Sequence, residues 1–140
     1  MNGSGKILIV TDGDAATREI AKGIASVIVP PSFTSCSVSI VEADAFDGTD
    51  ILPARVFFLG CAMPSPPSFA FMETLLERIN LAGRSCGIFS ARADALSYLS
   101  GILRSSEVLV GKPLLVKDGK TDSANMREWV KNILEMEVGK

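Results

Sequence analysis

The residues best suited to chemistry lie in one polar loop near the start of the chain. The loop follows the apolar run 7–10, precedes a helical pattern, and consists of Thr11, Asp12, Gly13, Asp14, Ala15, Ala16 and Thr17. A buried strand that leads directly into a helix N-terminus creates an anion site, because the first helical N–H groups have no partner and the helix dipole is positive at that end. The pattern therefore suggests a phosphate site.

Two aspartates in this loop oppose a bound phosphate. Asp12 and Asp14 place negative charge where the anion would sit. Two like unit charges about 4 Å apart repel by about 1 kcal/mol in bulk water and by about 4 kcal/mol near a protein surface. Asp14 could instead cap the helix with its own carboxylate, a role that suits aspartate. Both interpretations of the loop are open at the level of the sequence.

The chain contains no histidine. It therefore cannot build a Ser-His-Asp or Cys-His nucleophile or a histidine-ligated metal site. Cys36, Cys61 and Cys86 have no C-x-x-C spacing, which argues against a disulfide framework and a tetrahedral zinc site. We expect reduced, packed thiols, and whether the Cys61 thiol is reactive or packed is open at the level of the sequence. These absences favour a chain with no metal site and exclude much enzyme chemistry.

Length and charge limit the remaining classes. The chain has 140 residues, 47% of them hydrophobic, which suits a single domain over 1–140. The net charge is −2 with no long basic run, so the sequence does not support nucleic-acid binding. No apolar run approaches the roughly 20 residues that cross a bilayer, so no membrane partner is expected. We expect a cytoplasmic monomer.

Apolar runs alternate with helical periodicities, a pattern typical of strand-helix units around a parallel sheet. The predicted strands are 6–10, 37–42, 56–59, 86–89 and 108–116, and the predicted helices are 17–29, 69–79, 94–103 and one around 126–134. Pro30 ends the first helix, Ser68 suits the N-cap of the next long helix, and Gly111 and Pro113 interrupt the last strand. The crossover 44–53 is expected to be only a turn or two of helix.

These units predict an α/β fold, a single three-layer doubly wound sheet of five parallel strands in the order 2-1-3-4-5. The second strand is expected at an edge, with Val38 and Ile40 inward, and the wholly apolar third strand at the centre. Trp129 is expected in the core. Ligands of such sheets bind outside the carboxyl ends of the strands, where the strand order reverses. The loops 11–17, 60–68 and 90–94 should therefore converge.

The chain resembles the short-chain flavodoxins over nearly its whole length. The matching segments are 6–10 with 17–21, Leu59-Gly60-Cys61-Ala62-Met63, 82–84 leading into 87–90, and 113–116 followed by 127–129. The resemblance implies a flavodoxin-like electron carrier that holds FMN noncovalently and docks with redox partner proteins.

The resemblance also implies roles for particular residues. Thr11, Gly13 and Thr17 would cradle the FMN phosphate within the loop 11–17. Met63 would pack on one face of the flavin, within a loop that also holds Cys61, Ala62 and Pro64. Ser90, Ala91 and Arg92 would border the other face. The fourth-strand loop offers Arg92 in place of the usual stacking aromatic, so an FMN-less interaction or regulatory module of the same fold is the alternative.

A second resemblance is to response-regulator receiver domains. It rests on 7–12, Met63-Pro64, Ser90-Ala91 and Lys112-Pro113, which occur in that family's order. The phospho-accepting aspartate of that family should stand three residues before Met63, where this chain has Gly60. Phosphorelay through this position is therefore excluded, and only a degenerate, receiver-like docking module is compatible with the sequence.

Overall fold

The computed structural model describes residues 5–28, 36–45, 54–80, 84–116 and 123–138. The expected helix end at Pro30 lies outside these ranges, as do most of the crossover 44–53, the segment 82–83 and the side chain of Leu134 in the helix predicted around 126–134.

The strands form one parallel sheet. They are β1 Gly5–Thr11, β2 Cys36–Glu42, β3 Ala54–Gly60, β4 Ser85–Ser90, β5 Leu109–Val110 and β6 Leu114–Leu115. Their order is β2-β1-β3-β4-β5, and β6 also pairs with β4. The predicted order is confirmed. The fifth strand is split into two short pieces around Gly111 and Pro113, because proline cannot donate to a strand ladder.

Helices cover both faces of the sheet. They are α1 Ala15–Ile28, α2 Ala70–Arg78, α3 Ala93–Leu103 and α4 Ser123–Val138, with short 3-10 turns at Ala43–Ala45, Pro67–Phe69 and Arg104–Ser106. One apolar core lies between the sheet and α2 and α3, and the other lies between the sheet and α1 and α4. Since both faces are covered, the runs 7–10 and 56–59 are buried throughout.

An aromatic pair anchors α4 to the sheet. The rings of Phe58 and Trp129 lie 5.4 Å apart at an angle of 53°. Gly87 leaves room for them, since a Cβ there would lie 2.8 Å from Phe58 and 2.9 Å from Trp129. The indole N–H donates to the Lys112 carbonyl at 2.6 Å, which satisfies the buried polar atom. The expected core position of Trp129 is confirmed.

Two details of the predicted elements are wrong. Ile40 is 42% exposed rather than inward, because it lies on the edge strand β2 and faces a surface cavity beside α1. Ser68 does not cap a helix, since it lies within the 3-10 turn Pro67–Phe69 and its hydroxyl donates to the Asp12 carbonyl at 3.3 Å. That turn begins early because proline at its start fixes a helical φ.

Candidate functional site

The carboxyl ends of β1, β3 and β4 lie side by side at one edge of the sheet. Thr11 of β1 is opposite Gly60 of β3, which in turn is opposite Phe89 of β4. The Ser90 hydroxyl donates to the Cys61 carbonyl at 2.6 Å, which joins the loops after β4 and β3. The predicted convergence of the three loops is confirmed.

The threonines of the first loop point into the protein. Thr11 is fully buried and Thr17 is 2% exposed. The Thr11 hydroxyl accepts a hydrogen bond from the Gly13 N–H at 3.3 Å, and Gly13 has a φ of +88°, a conformation that favours glycine. The Thr11 hydroxyl is therefore used within the loop rather than presented to solvent.

Asp14 caps α1. Its carboxylate accepts a hydrogen bond from the Ala16 N–H at 3.0 Å, and its carbonyl accepts one from the Arg18 N–H at 2.9 Å. Ala15 and Ala16 are exposed in the first turn. The capping interpretation of Asp14 is confirmed, and the charge at this helix N-terminus is supplied by the chain itself.

Asp12 links two of the three loops. One carboxylate oxygen accepts from the Asp14 N–H at 3.1 Å, and the other accepts from the Ala62 N–H at 2.8 Å. The Asp12 carbonyl accepts from the Ser68 hydroxyl. The side chain and the backbone carbonyl of Asp12 therefore both hold the loop after β1 against the loop after β3. Sequence reasoning missed the link, because no local pattern points to a partner 50 residues away.

The first loop, with these contacts, does not fit the phosphate group of FMN. The N–H groups of Gly13, Asp14 and Ala16 are already bonded within the loop. A Cβ on Gly13 would lie 3.5 Å from the Glu42 carboxylate, so a third acidic group borders the loop. A phosphate would have to displace bound carboxylates and then remain close to their charges.

The loop after β3 buries its thiol and exposes its apolar side chain. Cys61 is fully buried, and burial, followed by the charge of Asp12, raises the pKa of its thiol to about 12. The thiol therefore stays protonated near neutral pH, as expected for a packed cysteine. Met63 is 48% exposed, while Ala62 and Pro64 are half-buried. Ser65 has a φ of +52°, which marks a tight bend.

The loop after β4 is held by its own polar groups. The buried Ser90 hydroxyl accepts from the Arg92 N–H at 3.1 Å while it donates to Cys61. The Arg92 guanidinium forms a bidentate pair with Asp94, at 3.0 and 2.6 Å. Ala91 and Arg92 are exposed. The arginine is thus directed to its neighbour in the chain, and this pair is half-exposed and screened by solvent.

Within the described ranges, no group of three or more histidine, cysteine, aspartate or glutamate residues is arranged to hold a metal ion. No helix in the same part of the chain is long and apolar enough to span a membrane.

Comparison with known proteins supports the fold. No family model matches the chain, and no curated protein matches it. Among solved structures, a short-chain flavodoxin associated with a non-canonical PDU bacterial microcompartment superposes with a TM-score of 0.79 at 10% identity, covering 95% of this chain and 99% of the other.

Two further structures give the same result. Oxidised Flavodoxin 2 from Bacillus cereus gives a TM-score of 0.75 at 18% identity, covering 94% and 99% of the two chains. A flavodoxin from the domain Archaea gives 0.73 at 15% identity, covering 95% and 99%. The chain therefore has the flavodoxin-like fold over nearly its whole length.

Proposed function

We propose that this flavodoxin-like chain works as a protein-interaction or regulatory module that holds no resident FMN. The observation that carries the proposal is the position of the Asp12 carboxylate, which accepts hydrogen bonds from both the Asp14 and the Ala62 N–H groups. A carboxylate of the chain thus occupies backbone donors at the edge where flavodoxin-like sheets take their ligands.

Energetics favour the internal carboxylate over an external phosphate. Hydrogen bonds to charged groups contribute about 1.5–3 kcal/mol each when well sheltered, and less when they are partly exposed as here. A phosphate would have to break these bonds and then meet the charges of Asp12, Asp14 and Glu42. Charge repulsion near a protein surface costs about 4 kcal/mol for a close pair.

Exposed side chains at the same edge support a role in protein contacts. Met63 is 48% exposed and Phe71, in the first turn of α2, is 51% exposed. The Arg92–Asp94 pair, which is half-exposed, follows the end of β4 in the chain. Methionine, phenylalanine and arginine are enriched in protein interfaces relative to other surfaces.

The second candidate function is electron transfer with weakly bound FMN, between redox partner proteins. It is favoured by the likeness to flavodoxins, which extends over 94% and 95% of this chain in two of the structures above. In that case the flavin would lie between the loops holding Met63 and Arg92, and its phosphate would displace the Asp12 carboxylate.

An FMN titration separates the two functions. We expect the purified protein to be colourless and to leave the fluorescence of free FMN unchanged. The variant Asp12→Thr/Asp14→Asn should bind FMN at least about tenfold more tightly than the unmodified chain, because about 1.4 kcal/mol of removed repulsion corresponds to a factor of ten. The double variant Glu77→Gln/Glu107→Gln is the matched control, since it also removes two negative charges, from exposed residues at the end of α2 and just before β5, away from the carboxyl ends of the strands.

A yellow protein, or stoichiometric quenching of FMN fluorescence by the unmodified chain, would support the electron carrier and overturn the proposal. Equal FMN affinity in the loop variant would show that the aspartates do not control the site. We also propose a cytoplasmic monomer with one domain, which light scattering of the purified chain tests for its oligomeric state.

A further inference from the structure

The surface cavity that Ile40 faces lies beside the first loop, at the carboxyl ends of β1 and β2. Its volume is about 220 Å³, and it is lined by Thr11, Arg18, Lys22, Ile40, Val41 and Glu42. Thr11 and Glu42 are opposite each other in the ladder between the two strands. The basic residues come from α1, one helical turn apart, so both face the same side.

Within the part of the chain that the structure describes, one cation and one anion of the lining have no charged partner. Among the described residues, neither the Arg18 guanidinium nor the Glu42 carboxylate makes an ion pair or a side-chain hydrogen bond. Lys22 is different, because its ammonium lies 3.5 Å from the Glu19 carboxylate. The lining has two positive side chains and one negative side chain, a net charge of +1, and because Lys22 is paired with Glu19, Arg18 and Glu42 are the opposite charges that a ligand can engage.

The remaining lining is apolar. Ile40, which is 42% exposed, faces the cavity from the edge strand, and Val41 is half-buried beside it. An exposed isoleucine in the same lining as the Arg18 guanidinium and the Glu42 carboxylate offers an apolar contact to a ligand that engages both charges. A purely anionic ligand would meet Glu42, and a purely cationic ligand would meet Arg18.

We infer that this cavity binds a small zwitterion of the α-amino acid class with a short aliphatic side chain. The Arg18 guanidinium binds the ligand carboxylate through bidentate hydrogen bonds, the Glu42 carboxylate binds the ammonium group, and Ile40 contacts the aliphatic side chain. The volume of about 220 Å³ suits a molecule the size of leucine. The inference is independent of the proposed function, since it uses neither FMN nor the loops after β3 and β4.

Titration of the full-length protein by amide NMR tests the site, with L-leucine as the probe. Leucine should shift the amide signals of Ile40, Val41 and Glu42 in a saturable way. Its two one-charge analogues, 3-methylbutylamine and 4-methylpentanoate, should bind at least about tenfold more weakly, because each leaves one charged group of the cavity unpaired.

Variants localise the effect. Arg18→Gln and Glu42→Gln should each weaken leucine binding by about tenfold or more. Arg104→Gln, an exposed arginine at the end of α3, is the matched control and should bind leucine like the unmodified chain. Both test residues are exposed, so neither substitution should disturb the core. The amide spectrum of each variant also shows whether it is folded.

The inference is overturned if leucine produces no saturable shift, if either analogue binds as tightly as leucine, or if the shifts map away from the β1–β2 edge. Because FMN is absent from this experiment, its failure leaves the proposed function untouched, and a positive FMN titration leaves this site untouched.

Discussion

At the scale of single residues, a methyl group at position 60 would collide with an aromatic ring. A Cβ built on Gly60 lies 2.1 Å from the Phe89 ring, which is fully buried in the neighbouring strand. The glycine that excludes a receiver-type phosphorelay therefore also has a packing role. It lets Phe89 cross the end of β3 and close the core on the α1 and α4 side.

Gly60→Ala should lower the free energy of unfolding by about 3 kcal/mol, at the upper end for an overpacked core, because the ring cannot move without disturbing its neighbours. Gly101→Ala is the matched control, since nothing lies within 4 Å of a Cβ at that helical position. That variant should be more stable than the unmodified chain by about 0.5–1 kcal/mol. Urea unfolding measures both. Equal stabilities for the two variants would contradict the steric role of Phe89.

At the scale of elements, the start of α1 depends on one carboxylate. The first turn consists of Ala15, Ala16 and Thr17, none of which is acidic, and Asp14 supplies the cap. The Asp14 backbone N–H in turn donates a hydrogen bond to the Asp12 carboxylate. The loop thus consists of two consecutive Asx-turns, formed by Asp12 and Asp14, and the helix begins where the second turn ends.

Asp14→Ala should cost about 1 kcal/mol of stability through the lost cap, whereas Asp14→Ser should cost only a few tenths, because serine also caps well. Thermal or urea unfolding of the two variants gives the comparison. The serine variant also removes a negative charge, so it separates the capping effect from the electrostatic effect on FMN binding. If alanine and serine were equally destabilising, the cap would not be the cause.

At the scale of the whole molecule, two buried thiols make the fold sensitive to alkali. Burial raises the pKa of Cys61 from 9.0 to about 12 and raises that of Cys86 well above 9.0. The pKa of Tyr98 is also raised, through burial and its hydrogen bond to Glu73, which ties α3 to α2. All of these groups are kept protonated by the folded state.

Stability should therefore fall as the pH rises above about 9. The contribution of each thiol is fully present below its unfolded pKa of 9.0 and is lost as the pH rises toward the raised pKa of the folded state, which is about 12 for Cys61, since only the unfolded chain then ionises. The loss is up to about 1.4 kcal/mol per pH unit for each thiol. Urea unfolding between neutral and alkaline pH measures it, and Cys61→Ala should flatten the slope even if its baseline stability is lower.

The same burial predicts slow modification of the thiols. In the folded protein at neutral pH, Cys61 and Cys86 should resist iodoacetamide, and both should react once urea unfolds the chain. Mass spectrometry of the peptides assigns each site. Rapid alkylation of Cys61 in the folded protein would show that the loop after β3 opens readily.

The elements of the fold followed from the sequence because each depends on residues close together in the chain. Runs such as 56–59 are apolar throughout, so they require cover on both faces, and alternation with helical periodicities gives parallel crossovers. Leu96, Leu99 and Leu103 are buried on one side of α3, as the helical periodicity behind the predicted helix 94–103 requires. Ile40 was misplaced because cover over an edge strand depends on which helix reaches it.

The candidate site could be located from the sequence but not described. Parallel strands must bring their carboxyl ends to one edge, so the convergence of the three loops was predictable. The Ser90 hydroxyl bond to Cys61 and the Asp12 carboxylate bond to Ala62 join residues 29 and 50 positions apart. Side-chain contacts at such separations depend on loop geometry, which residue order does not specify.

The sequence by itself therefore determined the sheet, the position of the ligand edge, and the chemistry that the absence of histidine excludes. Only the tertiary structure decided how that edge is used. The sequence offered Asp12 as a charge near an anion site, and the fold brings the Ala62 N–H to within 2.8 Å of it. The physical reason is that hydrophobic patterning is a local property, whereas the pairing of backbone donors is settled by which loops meet in space.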